Sequence, residues 1–189
     1  MTDAFVEHLE RSLGAIQGGW THDASGSRLP FSVARFHDTP APGARTLVTL
    51  GLSHTPLLLG RGPKRMRQEL LLACSGDASL GPLPGLLQQL GTAALRSGRA
   101  YSGKSTLPLD GPAQEGSIIE ALYLAAPIYF PDQLHVFAGA GDEPIVTCWL
   151  VPITGPEAKL AANEGWEAFE DRLAAKDPDL LDWSRKSII

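Results

Sequence analysis

Residues 145–157 read Ile-Val-Thr-Cys-Trp-Leu-Val-Pro-Ile-Thr-Gly-Pro-Glu, and this stretch decides the fold. The β-branched and aromatic residues from Ile145 to Val151 predict a strand. Thr154 and Glu157 have the spacing of a capping box, in which the threonine hydroxyl accepts a hydrogen bond from the backbone N–H three residues on and the glutamate reaches back. A strand that leads directly into a capped helix is therefore predicted.

Three segments carry apolar residues at the spacing of a helix. Phe5, Leu9 and Leu13 predict a helix over residues 3–16, and a leucine-rich stretch predicts a second one over 82–97. The third follows the capping box, where Ala162, Trp166, Phe169 and Leu173 form one stripe, and closes at Asp177-Pro178 because the residue before a proline disfavours the helical conformation.

Strands are predicted between these helices, at residues 31–36, 45–52, 66–74, 121–126 and 134–137. The continuous run Leu70-Leu71-Leu72 is typical of a strand that is covered on both faces. A Gly-rich turn at residues 139–144 predicts a hairpin with the strand at 145–151. The fold class is therefore α+β, with a central mixed, mostly antiparallel sheet flanked by about three helices, in a single domain over residues 1–189.

Composition excludes several classes of protein. The chain has 189 residues and a net charge of −5, which argues against a general nucleic-acid-binding domain. Its start lacks the basic and apolar pattern of a signal peptide, and no apolar run approaches the ~20 residues that a bilayer span needs. Two cysteines are too few for a disulfide scaffold. We therefore expect a cytoplasmic protein with reduced thiols that does not enter a membrane.

One segment matches a nucleotide-binding motif. Residues 98–105, Gly-Arg-Ala-Tyr-Ser-Gly-Lys-Ser, have the spacing of a phosphate-binding loop in which Lys104 would reach a phosphate. Such a loop follows a buried strand and opens a helix, whose N-terminus supplies amides to the phosphates. Here a predicted helix precedes the motif, and Pro108 and Pro112 oppose a helix after it. The sequence therefore favours a polar loop between a helix and a strand.

Candidate catalytic side chains are scattered. No two of the five histidines have metal-ligand spacing. His54 follows a strand beside Ser53 and is a candidate base, but no nucleophile elbow accompanies it, so a carbonyl-bound histidine is favoured. Cys74 and Cys148 lie in apolar strands, where thiols are usually buried and inert. A Cys–His pair stays open as an alternative.

Charge is distributed unevenly along the chain. Residues 157–182 contain eight acids and three bases, while Arg61, Lys64, Arg65 and Arg67 lie together in a turn. A solvated helix face and a basic turn explain this pattern. The alternatives are an acidic docking surface that steers a basic partner and a nucleic-acid contact at Arg61–Arg67 with steep salt dependence.

Several motifs in order resemble the suppressor of fused domain family. They are Thr49-Leu-Gly-Leu-Ser, Arg67-Gln-Glu-Leu-Leu-Leu, the strand running into Pro152-Ile-Thr-Gly-Pro-Glu, Gly165-Trp-Glu-Ala-Phe-Glu and Asp177-Pro-Asp-Leu-Leu-Asp. The likeness covers residues 28–189. It implies a compact α/β domain that binds other proteins, and free-standing bacterial members resemble immunity proteins that neutralise a cognate toxin. The long C-terminal region of the animal protein has no counterpart, so its peptide-binding residues are not carried over.

The function expected from residues and resemblance together is that of a non-enzymatic, cytoplasmic protein-binding domain. Its partner would be another protein, with a toxin or a basic protein as the leading candidates. No catalytic, metal-binding or cofactor-binding residue is assigned. The alternative is a small hydrolase or nucleotide-dependent enzyme that uses His54 or the loop at Lys104.

Overall fold

A computed structural model describes residues 3–75, 80–139 and 143–189. Over these residues it contains four helices and nine strands. The helices are α1 Asp3–Leu13, α2 Leu83–Ser97, α3 Gly155–Glu164 and α4 Trp166–Lys176. The strands are β1 Gly19–His22, β2 Arg28–His37, β3 Arg45–Leu50, β4 Leu57–Leu58, β5 Arg65–Cys74, β6 Thr106–Pro108, β7 Ile119–Ala125, β8 Val136–Phe137 and β9 Ile145–Thr154.

The described strands form one mixed sheet in the order β1-β2-β3-β5-β9-β7-β6, with β4 paired to β5 and β8 paired to β9. The central pair β5–β9 is parallel, with Leu70 opposite Cys148. All other pairs between these strands are antiparallel. The predicted α+β class, with a mixed and mostly antiparallel sheet, is confirmed.

Helices cover both faces of this sheet, and alternate residues of the central strands supply the two cores. Leu71 and Trp149 pack on the side of α1, α3 and α4, together with Phe5 and Phe169. The neighbouring residues of the same strands point to the other face, where α2 packs. The run Leu70–Leu72 is fully buried, as predicted for a strand covered on both faces.

The prediction of one C-terminal helix is wrong in one respect, because this region contains two helices, α3 and α4. Gly165 separates α3 from α4 and has φ +90°, a conformation that other residues rarely adopt. The break shifts the helical phase, so Phe169 is buried whereas Ala162 and Trp166 are exposed. The capping box that starts α3 is confirmed, because Glu157 N–H donates to Thr154 Oγ1 and Thr154 N–H donates to Glu157 Oε2.

Two other predicted bounds differ from the structure. Helix α1 ends at Leu13 rather than residue 16, because Gly14 turns into the left-handed region and the Glu10 side chain accepts from Ile16 N–H. The pairing of β8 with β9 confirms the predicted hairpin, and residues 140–142 of its turn lie outside the described part. Leu134 lies before β8 in a short 3-10 turn, Asp132–Leu134, that begins after Pro131.

Candidate functional site

A cleft of about 750 Å³ lies where β5, β7, β9 and α4 meet residues 177–180, which follow α4. Its lining is predominantly apolar and includes Tyr123, Trp149, Leu173 and Leu180. This volume falls within the range of sites that hold small molecules or the side chains of a partner. The cleft, defined by this lining, is the leading candidate for a binding site.

Two exposed hydrophobic side chains line the cleft just after β7. Ile128 is 72% exposed and Tyr129 is 38% exposed. The Tyr129 ring lies 5.0 Å from the ring of Trp149, which is fully buried. Aromatic and aliphatic side chains in this arrangement are typical of the centre of a protein interface, where their burial supplies most of the binding energy.

A polar cluster joins the loop before β6 to α4 at the lining of the cleft. Lys104 Nζ lies 3.2 Å from the centroid of the Trp166 ring and 3.8 Å from a carboxylate oxygen of Glu170. Tyr123 donates a 2.8 Å hydrogen bond to the other oxygen of Glu170. Burial and this bond raise the pKa of Tyr123, so the phenol stays a donor at neutral pH. The cluster holds Glu170 in place beside the cleft.

Lys104 therefore has a structural environment that differs from a phosphate-binding loop. Its loop follows α2 and leads into β6, so no helix begins after it in this part of the described chain. This is the order that the sequence predicts for a polar loop. The lysine also has φ +58° and is engaged with Trp166 and Glu170 rather than facing a ring of backbone amides.

The other candidate catalytic residues do not form a reactive set. His54 is exposed at the end of a 3-10 turn, and partial burial together with the Arg67 guanidinium lowers its pKa. Cys74 and Cys148 are buried in β5 and β9. Burial raises the pKa of both thiols, that of Cys148 to about 12. Neither cysteine is a thiolate near neutral pH, and neither has a hydrogen bond to a histidine among the described contacts.

Two of the motifs that carry the family resemblance meet at a buried carboxylate. Glu69 accepts hydrogen bonds from Thr49 Oγ1, Gly51 N–H and both the N–H and Oγ of Ser53, at 2.6–3.0 Å. Burial raises the pKa of Glu69, although these four donors favour the charged form. The network fixes the turn after β3 on β5, so these motifs contribute to the fold.

Neighbouring Arg67 has a similar structural role. It donates to the carbonyls of Ser53 and His54 at 2.9 and 3.0 Å and pairs with Glu143 at 3.3 Å. The Arg67 side chain is therefore half-buried and bonded within the fold, whereas Arg61, Lys64 and Arg65 are exposed.

The acids of residues 157–182 also differ in their exposure. Glu157 is fully buried and pairs with Arg185, so it does not contribute to an acidic surface. Glu164, Glu167, Asp171 and Asp177 are exposed on or beside α3 and α4. Exposed acids therefore lie on or beside α3 and α4, and Glu157 is not among them.

Within residues 3–75, 80–139 and 143–189, His, Cys, Asp and Glu nowhere form a group of three that could hold a metal ion. Over the same ranges, none of the helices combines the length and apolar character of a bilayer span.

Sequence reasoning missed the cleft, because its lining comes from separate elements. Met66, Tyr123 and Leu173 lie far apart in the chain and share no motif. Pro127 before Ile128-Tyr129 was a weak signal, since an apolar pair directly after a strand and a proline suits an exposed bend. The convergence of these residues depends on the parallel pairing of β5 and β9, which no local pattern specifies.

Comparison with known proteins gives one family match and several matches of fold. The model of the family "Suppressor of fused protein (SUFU)" matches residues 27–186. A search of curated protein sequences gave no match.

Among solved structures, a suppressor of fused homologue from Neisseria gonorrhoeae is 19% identical, with a TM-score of 0.75, over 99% of this chain and 96% of that one. The crystal structure of the Sufu–Fu complex gives 16% identity and a TM-score of 0.72, over 98% of this chain and 91% of that one. Drosophila Suppressor of fused gives 14% identity and a TM-score of 0.61, over 84% of this chain but 43% of that one. At these identities the structural likeness shows a shared fold.

Proposed function

This chain belongs to the suppressor of fused family, and we propose that it is a protein-binding domain. Its cleft receives a hydrophobic segment of another protein. The observation that carries the proposal is the position of Ile128 and Tyr129, exposed side chains that line an apolar cleft. The fold shared with the protein of the Sufu–Fu complex supports it.

The charge beside the cleft favours a basic partner. Glu170 and Asp177 line the cleft, and α4 adds the exposed acids Glu167 and Asp171. These four acids exceed by one the three bases Lys104, Arg172 and Lys176 in the same region, and Lys104 is paired with Glu170. Complementary charge raises association rates and suppresses wrong partners more than it adds affinity. A partner segment with apolar residues followed by lysine or arginine would therefore bind with its basic end toward α4.

The finer proposal is an immunity role, in which the partner is a toxin that the chain neutralises in the cytoplasm. An acidic single domain that binds by surface contact would suit a basic toxin, because it covers the target without needing chemistry of its own. This role predicts that a neighbouring gene encodes a protein that stops growth when it is expressed alone, and that co-expression of this chain restores growth. A harmless neighbouring product would contradict the immunity role and leave the binding proposal standing.

The cleft itself is tested with two matched substitutions of exposed isoleucines. Ile128→Asp places a charge in the lining, whereas Ile118→Asp changes a side chain that is 49% exposed and lies outside the lining. A partner is first isolated from native lysate with the wild-type chain and identified by mass spectrometry. Its affinity is then measured by titration calorimetry with each purified variant.

We expect Ile128→Asp to weaken binding by about tenfold or more, as for a side chain at the centre of an interface, and Ile118→Asp to retain wild-type affinity. Equal loss in both variants, or none in either, would show that the cleft is not the contact. Thermal unfolding of each variant checks that the fold is intact.

A further inference from the structure

A basic surface forms where the β4–β5 hairpin meets the end of α2. It consists of the exposed side chains Arg61, Lys64, Arg65, Arg96 and Arg99. The first three lie on the hairpin, and the other two lie more than thirty residues later in the sequence. This surface therefore exists only in the folded chain.

Backbone hydrogen bonds hold the two segments together. Leu58 N–H donates to Gly98 O and Ala100 N–H donates to Leu58 O, both at 2.9 Å. The Arg99 guanidinium donates to the carbonyl of Gly60 in the hairpin turn. The segment directly after α2, with Arg99, is thus fixed beside the hairpin, and Arg96 lies in the last turn of α2 just before this segment.

No acid compensates this cluster of charge within the described chain. Over residues 3–75, 80–139 and 143–189, none of the five side chains has a carboxylate within salt-bridge distance, whereas the adjacent Arg67 pairs with Glu143. Like charges held close together repel one another. A concentrated positive surface on a chain of net charge −5 is therefore suited to an anionic partner.

We propose that the basic surface binds an acidic segment of a protein, in which several Asp or Glu residues lie close together in the sequence. Four of its five cations are arginines, whose planar guanidinium can hold a carboxylate through two parallel hydrogen bonds. Leu59 and Met66 of the same hairpin line the nearby end of the cleft, so apolar contact is available beside the charge. This surface is opposite in sign to the α4 region, and the inference does not depend on the function proposed for the cleft.

A nucleic acid fits the surface less well. Proteins that bind single strands stack bases on exposed aromatic rings between their cations. The aromatic residue nearest in sequence is Tyr101, which is half-buried and donates its hydroxyl to Leu90 O.

The test uses a fluorescein-labelled peptide of twelve alternating Glu and Gly residues and its Gln-for-Glu counterpart. Anisotropy is measured at low and physiological salt with the full chain. Arg61→Gln/Lys64→Gln/Arg65→Gln removes three charges from the basic surface. Lys159→Gln/Arg172→Gln/Lys176→Gln removes three charges from α3 and α4 and is the matched control, and Arg96→Gln probes the helix side alone.

We expect the wild-type chain to bind the acidic peptide and not its Gln-for-Glu counterpart. The affinity for the acidic peptide should fall about tenfold in the hairpin variant and change by less than about threefold in the control variant. Arg96→Gln should lose a smaller but measurable share. Equal binding of the hairpin variant and the wild type would overturn the proposal. Tighter binding of a twelve-nucleotide single-stranded DNA would assign the surface to nucleic acid. Salt-sensitive self-association in sedimentation would assign the surface to a second copy of the chain. Either result also overturns the proposal.

Discussion

Glu157 and Arg185 form a bidentate ion pair inside the fold, with both N···O distances at 2.7 Å. Their side chains are 0% and 5% exposed. Glu157 also accepts from Thr154 N–H and Ile188 N–H, and Arg185 donates to Pro152 O. The pair therefore fastens residues 185–188 to the start of α3 and to the end of β9, a strand whose earlier residues line the cleft.

Removing one partner of this pair is expected to destabilise the chain strongly. Arg185→Met leaves the Glu157 carboxylate buried without its counter-ion, which typically costs about 3–5 kcal/mol of the free energy of unfolding. Urea unfolding followed by tryptophan fluorescence measures the change. Arg172→Met is the control, since Arg172 and Glu164 are about half exposed and 4.0 Å apart; such pairs contribute at most about 1 kcal/mol. Similar losses in both variants would contradict the structural role of the buried pair.

Two buried carboxylates are expected to give stability profiles of opposite slope against pH. Burial raises the pKa of Glu157, but the Arg185 guanidinium and the N–H groups of Thr154 and Ile188 outweigh it, so the net shift is downward. The contribution of Glu157 to the free energy of unfolding is present above its unfolded pKa of about 4.3. This contribution is lost as the pH falls through the lower pKa that Glu157 has in the folded chain. Burial raises the pKa of Glu69 overall, so stability from this group decreases as pH rises from the unfolded value through the folded one.

The measurement is the free energy of unfolding of the wild type, Glu157→Gln and Glu69→Gln between about pH 3.5 and about pH 7. This range includes the ordinary pKa of a glutamate carboxyl group. The advantage of the wild type over Glu157→Gln should shrink toward acid pH. The difference between the wild type and Glu69→Gln should change in the opposite direction. Difference curves with the same slope against pH would show that one of the two assignments is wrong.

Much of the fold could be predicted from the sequence, because its signals are local. The run Leu70–Leu72 identifies a doubly covered strand, and Thr154 with Glu157 identifies the start of α3. These patterns depend on the spacing of neighbouring residues along one element. The glycine at position 165 was also a local signal for the break before α4, but the apolar stripe across it concealed the change of phase.

The candidate sites could not be predicted in the same way. Arg185 lies 28 residues after Glu157, and Arg99 reaches Gly60 only because the end of α2 pairs with Leu58. Both contacts join segments that lie far apart in the sequence, and periodicity does not specify such contacts. The net charge of residues 157–182 likewise gave no indication that Glu157 is buried. Surfaces built from distant segments therefore required the structure.

Two glycines of α2 are expected to respond to alanine with opposite signs. A Cβ at Gly91 would lie 2.4 Å from Phe31 Cζ, in the core between α2 and the sheet, whereas a Cβ at Gly85 would meet nothing within 4 Å. Gly85→Ala should raise the free energy of unfolding by up to about 1 kcal/mol, the helix preference for alanine. Gly91→Ala should lower it by about 1–3 kcal/mol, since overpacking outweighs that preference. Thermal unfolding of both variants measures the difference, and stabilisation by Gly91→Ala would show that α2 does not pack closely on Phe31.

The two thiols are expected to be inert in the native chain. Cys74 and Cys148 are 6% and 4% exposed, and burial raises the pKa of each, so little thiolate is present at pH 8. A thiol reagent such as DTNB should label neither cysteine before unfolding and both in denaturant. Ile128→Cys supplies an exposed thiol in the cleft as a positive control and should react at once. Rapid labelling of Cys74 or Cys148 in the folded wild type would revive the Cys–His alternative and, with it, the case for an enzyme.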